Sequence, residues 1–188
     1  MFLYLNKFDD MNYCSACGNK VTLKIPDGDD LARFVCVACQ TVHYDNPKMV
    51  VGAIPELKGK ILLCQRAIEP AKGKWTLPAG YLENGETIAE CAIRETEEEA
   101  GAAITDLLPY AIINLPLIKQ IYFIFRARLV SDTFQPGPES LAVELISPEE
   151  IPWVELAFSS MHRVLEKYCA DLKTEEFPFR NIDIVDHR

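Results

Sequence analysis

The chain has 188 residues, 49% hydrophobic and 25% charged, a composition typical of a globular protein with one medium-sized domain and a smaller second unit. Its formal net charge of −9 argues against general nucleic-acid binding, which depends on clustered Lys and Arg. No apolar run approaches the length of a membrane span, so we expect no membrane insertion.

The first residues, MFLYLNKFDD, have no basic region, long apolar core or small-residue cleavage site, so we predict no signal peptide. We expect residues 1–10 to be a flexible extension, with Met11 as an alternative start. Seven cysteines, an odd number, indicate a reducing, cytoplasmic setting rather than a disulfide framework.

Residues 11–46 carry two C-x-x-C pairs separated by 18 residues. The strand-like runs KVTLKI and RFVCV, joined by the turn PDGDD, predict a hairpin that brings the two pairs together. This spacing is typical of a tetrahedral zinc site with four thiolate ligands. The predicted ligands are Cys14, Cys17, Cys36 and Cys39. Four ligands leave no open position, so we predict a structural Zn²⁺ in a small zinc ribbon.

The alternatives to this zinc site are coincidental cysteines, a redox pair, or His43 as a competing ligand. No thioredoxin-like βαβ pattern surrounds either pair, and four cysteines already complete a site. The ribbon balances its basic residues with acidic ones, so we expect no contact with nucleic acid. We favour a packing role or formation of a homodimer.

Residues 47–170 form the second predicted unit. In chain order, KMVVGAIPEL and KILLCQRAI are predicted strands, GKWTLPAGYLENGE a loop, and TIAECAIRETEEEAG a helix ended by Gly101. Then come the strand QIYFIFRARLV, the loop QPGPES, the strand LAVELI, a turn capped by Ser147, and the helix SSMHRVLEKYCADL. Residues 171–188 read as a polar, poorly packed tail. The order predicts a layered α/β domain.

The predicted central helix contains RETEEEAG, residues 94–101. At 100° per residue, Glu95, Glu98 and Glu99 fall in the apolar sector of this helix. The polar side is predicted to hold Glu90, Arg94 and Glu97. Buried carboxylates need a neutralising partner, and oxygen ligands suit Mg²⁺ or Mn²⁺. The alternative is a frayed, solvent-facing helix end.

The wider spacing around this helix resembles the Nudix box, G-x5-E-x7-R-E-U-x-E-E-x-G-U, where U is a bulky aliphatic residue. All seven fixed Gly, Glu and Arg positions are present, beginning at Gly80. Thr96 and Ala102 depart from the two U positions. Upstream, WTLPAGYLENGE resembles the W-x-x-P-G-G run of the same family, with Ala79 in place of the first glycine.

The Nudix resemblance implies an α/β/α sandwich with a mixed sheet, preceded here by the small β zinc ribbon. It implies hydrolysis of a nucleoside diphosphate linked to another group, assisted by Mg²⁺ or Mn²⁺. By position, it implies metal ligation at Glu95, Glu98 and Glu99, with Glu98 also catalytic. It further implies that Gly80 lets the backbone approach the metal and that Glu86 supports the box. Arg94 is implied to orient the carboxylates.

Nudix enzymes often place a base or an extra ligand in a loop after the box. Glu139 in PGPES and Glu144 in LAVEL are the two candidates, and we favour Glu139 because a loop can reach over a site. Arg66 and Arg126 are candidates for binding substrate phosphate. Either arginine could equally be a strand-end charge.

The substrate prediction rests on finer resemblances. Pro116, 15 residues after Gly101, resembles a proline that accompanies ADP-ribose hydrolysis, although it can also be a strand breaker. The sequence lacks the S-Q-P-W-P-F-P-x-S run of NADH pyrophosphatases, and its ribbon, PGPES and LAFSS resemble plant-type FAD/ADP-ribose pyrophosphatases. We therefore predict a small dinucleotide substrate, FAD or ADP-ribose, with NADH pyrophosphatase activity as the alternative. A catalytically silent nucleotide-sensing module is the alternative of another class.

Overall fold

The structure is a computed structural model that describes residues 11–185, so the extension predicted for residues 1–10 lies outside the described residues. The chain divides into two compact units at the junction of Asn46 and Pro47. Each unit has its own sheet.

The N-terminal unit is a three-stranded antiparallel sheet. Its strands are β1 (Val21–Lys24), β2 (Arg33–Cys36) and β3 (Val42–His43), in the order β1-β2-β3. The β1–β2 hairpin was predicted from alternation and the PDGDD turn. Strand β3 was missed because two residues carry no periodic pattern.

The C-terminal unit is built on one mixed sheet. Its strands are β4 (Lys48–Leu57), β5 (Lys60–Arg66), β6 (Trp75–Thr76), β7 (Ala79–Tyr81), β8 (Ile104–Leu115), β9 (Gln120–Leu129), β10 (Ser140–Ile146) and β11 (Arg180–Asp183). The order is β10-β5-β4-β9-β8-β11, with β6 paired to β5 and β7 to β4. The β4–β9 and β8–β11 pairs are parallel, and the other pairs are antiparallel.

Two helices, α1 (Ile88–Ala100) and α2 (Ser159–Asp171), cover opposite faces of this sheet. Successive strand residues point to opposite faces. Along β4, Ala53 packs in the hydrophobic cluster on the α1 side of the sheet, the α1 cluster, and Ile54 packs in the cluster on the α2 side, the α2 cluster. This arrangement confirms the predicted α/β/α sandwich. Within residues 11–185, neither helix has the length and apolar character that crossing a membrane requires.

Both ends of α1 are capped by their local sequence. The Thr87 hydroxyl accepts from the Glu90 N–H at 3.2 Å, and the Glu90 carboxylate accepts from the Thr87 N–H at 2.7 Å. Gly101 adopts a left-handed conformation with φ of 58° and ends the helix as predicted. The helix that carries the glutamates is therefore fixed at both termini.

Three short 3₁₀ helices connect the larger elements, at Pro116–Ile118, Pro148–Glu150 and Trp153–Glu155. The turn predicted after Ser147 is present, but the predicted side-chain cap is wrong because the Ser147 side chain makes no capping hydrogen bond. The prediction of a poorly packed tail from residue 171 is also wrong over Arg180–Asp183, which forms edge strand β11 beside β8. The four residues of β11 are too few and too polar to signal a strand.

A buried carboxylate anchors this C-terminal strand. Asp171 is 5% exposed. It accepts a hydrogen bond from the Tyr110 hydroxyl at 2.6 Å and forms an ion pair with Arg180. Tyr110 lies in β8 and Arg180 begins β11. One side chain at the end of α2 thus ties two strands to the helix.

Replacing Asp171 by alanine is expected to lower the free energy of unfolding by about 3 kcal/mol, because the change leaves the Arg180 charge and the Tyr110 hydroxyl without their partner. Denaturant unfolding followed by circular dichroism measures the change. The control is Arg163→Ala, which removes an exposed pair with Glu166 and should cost less than about 1 kcal/mol. Equal effects of the two variants would contradict the anchoring role.

Candidate active site

The glutamates of α1 divide between buried and exposed positions. Glu95 and Glu99 are 9% and 7% exposed, which confirms that they lie on the packed face of the helix. Glu97 is exposed, as predicted. Glu98 was predicted on the buried side, and this is wrong, because 60% of its side chain is exposed. Its wheel position, about 60° from Glu95, leaves it at the rim of the packed face.

Strand β7 brings bare backbone against the two buried glutamates. A Cβ atom at Gly80 would lie 2.2 Å from the Glu95 carboxylate, so any side chain there would displace it. The neighbouring Ala79 N–H donates to Glu99 Oε2 at 3.2 Å. Pairing of Gly80 with Val51 of β4 holds this backbone in place.

Arg94 binds four groups around Glu95, Glu98 and Glu99, which together form the glutamate cluster. Its guanidinium binds both oxygens of Glu86, at 2.7 and 3.0 Å. It also donates to Glu95 at 2.6 Å, to Glu98 at 3.1 Å and to the Tyr81 carbonyl at 3.1 Å. The prediction that Arg94 stays on the polar side of the helix is therefore wrong. Its long side chain reaches back to carboxylates that the wheel, which considers only Cα directions, placed out of reach.

The charges of the cluster are incompletely balanced. Burial, together with the charges of Glu95 and Glu139, raises the pKa of Glu99 to about 8, and the Ala79 N–H and Arg66 only partly oppose this shift. Burial likewise raises the pKa of Glu95. By contrast, Arg94 and the Glu83 N–H lower the pKa of Glu86 to about 2.

These residues fit a hard divalent cation. Two buried carboxylates and one exposed carboxylate, those of Glu95, Glu99 and Glu98, project from the same end of α1. Burial of this negative charge is unfavourable without a counter-charge, and carboxylate oxygens are the ligands that Mg²⁺ and Mn²⁺ prefer. The missing side chain of Gly80 leaves the space that the Glu95 carboxylate occupies.

The two downstream glutamates lie in different places. Glu139 ends the β9–β10 loop (residues 130–139), and its charge raises the pKa of both Glu95 and Glu99. Glu144 lies in β10 opposite Leu63. Because cross-strand partners share a face and Leu63 packs in the α2 cluster, Glu144 points away from α1. The Gly137 N–H, two residues before Glu139, donates to the Glu99 carbonyl at 3.0 Å, so the loop that carries Glu139 docks beside the glutamates, whereas Glu144 faces away.

The two candidate phosphate-binding arginines also separate. Arg126 pairs with both oxygens of Glu56, at 2.6 and 3.0 Å, and its guanidinium lies 3.3 Å from the centre of the Phe177 ring. Since Arg126 pairs with Ile54 of the α2 cluster, it lies on the sheet face opposite the glutamates. Its predicted role in substrate binding is not supported.

Arg66, at the end of β5, is the better placed arginine. Its charge lowers the pKa of Glu99. Its Nε donates to the Pro70 carbonyl at 2.8 Å, and its guanidinium lies 5.2 Å from the centre of the Phe158 ring. Sequence reasoning could not separate Arg66 from Arg126, because each sits in a strand whose two faces are both covered.

Sequence reasoning missed the backbone groups of the site. The Ala79 N–H and the Tyr81 carbonyl hold Glu99 and Arg94, and the N–H of Gly137 donates to the Glu99 carbonyl at 3.0 Å. Backbone contacts are hard to predict from one sequence, because nearly every residue carries the same N–H and carbonyl groups. The available signal was the pair of Gly-containing runs, WTLPAGYLENGE and PGPES, on either side of the helix.

The four predicted zinc ligands of the N-terminal unit converge. The Sγ atoms of Cys14, Cys17, Cys36 and Cys39 all lie within 4.8 Å of one another. The Cys14–Cys39 distance is 3.7 Å and the Cys17–Cys36 distance 3.4 Å, close to the ~3.8 Å between sulfurs in a tetrahedral site with Zn–S bonds of ~2.3 Å. This cluster fits a tetrahedral metal ion.

Neighbouring groups shift the pKa values of this cluster in both directions. Despite the Cys39 and Ala38 N–H groups, burial and the Cys17 and Cys39 thiols raise the pKa of Cys36 to about 11. The N–H groups of Ala16 and Ala38 donate to Cys14 Sγ and Cys36 Sγ, each at 3.4 Å. Hydrogen bonds from Thr41 lower the pKa of Cys39 to about 6. His43 Nε2 lies 3.3 Å from Cys14 Sγ, beside the cluster.

The sequence matches two families that correspond to the two units. Residues 46–168 match the NUDIX domain, and residues 12–45 match the zinc ribbon described as Nudix N-terminal. The chain therefore belongs to the NUDIX hydrolase family, which confirms the resemblance found in its box and ribbon.

Known proteins are similar over different shares of the chain. A NUDIX hydrolase from Nitrosomonas europaea, known from its crystal structure, is 48% identical, with a TM-score of 0.88 over 94% of this chain and 100% of that one. NAD-capped RNA hydrolase NudC of Chromobacterium violaceum is 27% identical over 163 residues, 85% of this chain and 60% of that protein.

A third relative is the ADP-ribose pyrophosphatase of Methanocaldococcus jannaschii. It is 45% identical over 84 residues, which are 45% of this chain and 46% of that protein. The chain thus spans about half the length of the curated relatives that it matches.

Proposed function

We propose that this protein hydrolyses the pyrophosphate bond of an ADP-containing dinucleotide in a reaction that depends on a divalent metal ion. The observation that carries the proposal is the burial of two glutamates against strand β7, Glu95 at the side-chain-free Gly80 and Glu99 at the Ala79 N–H. Family membership supports the reaction class. A silent sensor would have no need to keep this full set of carboxylates.

Each residue of the cluster has a proposed role. Glu95, Glu98 and Glu99 would hold Mg²⁺ or Mn²⁺, which when bound screens phosphate charge and acidifies an attacking water. Arg94 would orient Glu95 and Glu98 through its hydrogen bonds, and Glu86 would hold Arg94. Arg66 would contact a substrate phosphate.

Glu139 is the proposed general base. Its carboxylate would take a proton from water as the water oxygen bonds to one phosphorus and the bond to the bridging oxygen breaks. The products are two phosphomonoesters. For ADP-ribose they are AMP and ribose 5-phosphate.

Glu139→Gln is expected to lower kcat by about 10²–10⁴-fold, the usual contribution of a general base. Glu144→Gln is the matched control, because Glu144 is an exposed glutamate of the next strand that points to the other sheet face. Steady-state hydrolysis at saturating substrate measures both. A larger loss in Glu144→Gln would reverse the assignment.

ADP-ribose is the proposed preferred substrate. The 45% identity to an ADP-ribose pyrophosphatase supports it, and FAD remains a prediction from sequence resemblance. The NudC relatives bear the name NAD-capped RNA hydrolase, which keeps NAD-derived substrates as the alternative. The net charge of −9 favours a small dinucleotide over RNA.

A substrate panel tests the proposal. ADP-ribose, FAD, NADH, a diadenosine polyphosphate and NAD-capped RNA are each incubated with Mg²⁺ or Mn²⁺, and phosphomonoester products are detected by phosphatase-coupled phosphate release. We expect ADP-ribose to give the highest kcat/KM. Tight binding without turnover of any substrate would instead support the sensing module.

We also propose that the four cysteines hold a structural Zn²⁺ and that the ribbon serves packing or homodimer formation. The sulfur distances and the match to the Nudix zinc ribbon support the zinc ion. Elemental analysis of protein purified without chelators is expected to give about one zinc per chain.

A further inference from the structure

The β9–β10 loop closes the end of helix α1. The N–H of Gly137 donates to the carbonyl of Glu99 at 3.0 Å, and the N–H of Gln135 donates to the carbonyl of Ala100 at 2.9 Å. The last carbonyls of a helix have no partner within the helix. The loop therefore supplies these partners at the turn that carries Glu98 and Glu99.

Only glycine fits at position 137 in this docked loop. A Cβ atom there would lie 1.7 Å from the Glu98 carbonyl oxygen and 2.8 Å from its carbonyl carbon, whereas real Cβ atoms essentially never come closer than 3.0 Å to another atom. The obstructing atoms belong to helix backbone, so they cannot rotate away. The restriction is steric, since the φ of Gly137 lies outside the left-handed region.

The other side of the loop is fixed to strand β5. The N–H of Ala67, the residue after β5, donates to the Glu139 carbonyl at 2.7 Å, and the N–H of Ser140 donates to the Gly137 carbonyl at 3.0 Å. Only Pro138, with its restricted φ, separates Gly137 from Glu139. The Glu139 backbone is therefore held between α1 and β5.

We propose that Gly137 is a positioning residue whose missing side chain lets the loop dock on α1 and thereby sets the position of Glu139 over the glutamate cluster. The kinetic consequence rests on the proposed hydrolytic function and on Glu139 as its base. The structural consequence, which is the position of the Glu139 backbone, does not rest on that function. Moving the contact from 1.7 Å to at least 3.0 Å requires a shift of more than an ångström, and a misplacement of ~1 Å can lower a rate by ~10²-fold.

The test is a double-mutant cycle of Gly137→Ala and Glu139→Gln, with Pro136→Ala as the control at an exposed position of the same loop. We expect Gly137→Ala to lower kcat by about 10²-fold with little change in KM. In the Glu139→Gln background, Gly137→Ala should cause no further loss. A glycine needed only for stability would lower kcat in both backgrounds, and that result would overturn the proposal. Pro136→Ala should leave kcat unchanged.

A second variant avoids the steric clash. Pro138→Gly loosens the single-residue link without adding a side chain, so it should lower kcat when Glu139 is present and not in Glu139→Gln. Unchanged kcat in Pro138→Gly and in Gly137→Ala would overturn the proposal, even if one of them unfolds more easily.

A crystal structure of Gly137→Ala separates this inference from the proposed function. Displacement of the Glu139 backbone relative to Glu99 by an ångström or more supports the positioning role, even if no substrate is hydrolysed. An unmoved Glu139 contradicts it, even if the enzyme is active.

Discussion

Glu99→Gln is expected to lower kcat by about 10²–10³-fold while leaving the fold intact. Glu99 is buried and accepts a hydrogen bond from the Ala79 N–H, so its carboxylate has a fixed direction. Glutamine keeps the shape and loses the charge that holds a divalent ion. Loss of one fixed electrostatic contact to developing charge usually costs ~10²–10³ in kcat.

Glu97→Gln is the matched control for this prediction. Glu97 lies two positions away on the same helix and is exposed. The substitution therefore removes one negative charge from the same stretch of sequence without changing a residue of the glutamate cluster. We expect kcat to be nearly unchanged. Unchanged turnover in both Glu98→Gln and Glu99→Gln would contradict the metal assignment.

Loss of the four-cysteine site is expected to unfold the N-terminal unit. In its described part, residues 11–46, the buried hydrophobic residues are Cys14, Val35 and Cys36, so two of the three are predicted zinc ligands. Such a core is too small to fold without a metal ion. We expect Cys36→Ser to abolish zinc binding and to make this unit sensitive to limited proteolysis.

Cys169→Ser, which changes a partly buried cysteine of α2, is the control for this experiment. Zinc content by elemental analysis and the fragment pattern by mass spectrometry are the two measurements. A protease-resistant N-terminal unit in a zinc-free Cys36→Ser sample would show that the ribbon does not depend on the metal.

The sequence predicted those parts of the fold that carry a strong local signal. Helix α1 was predictable because its apolar period ends at Gly101, whose left-handed conformation ends the helix. Strands β4, β5 and β9 were predictable from their apolar, β-branched composition. Strand β8 was missed because Pro109 interrupts its pattern and Pro116 directly follows it. Its pairing with β9 accommodates Pro109 through register shifts. Strand β11 forms by pairing with β8, a contact between distant parts of the chain that its local sequence does not indicate.

The site was predictable where the chemistry depends on residue spacing along one helix. Glu95 and Glu99 could be assigned to the packed face from the helical period, and the box spacing identified Gly80 and Glu86. The helical period alone misplaced Arg94, because the length of its side chain lets it leave its own sector and reach Glu95, whereas the box resemblance implied that Arg94 orients the carboxylates. Arg126 lies on the sheet face away from the glutamates, and the sequence does not reveal which face contains the site.

Phosphatase-coupled detection of AMP and ribose 5-phosphate from ADP-ribose is the most direct test of the proposed function. The reaction is run with and without Mg²⁺ or Mn²⁺, for the unmodified protein and for Glu99→Gln. We predict both products from the unmodified protein only when metal is present, and a rate at least ~10²-fold lower for Glu99→Gln. Absence of hydrolysis of ADP-ribose, FAD and NADH by the unmodified, metal-supplied protein would contradict the proposed function.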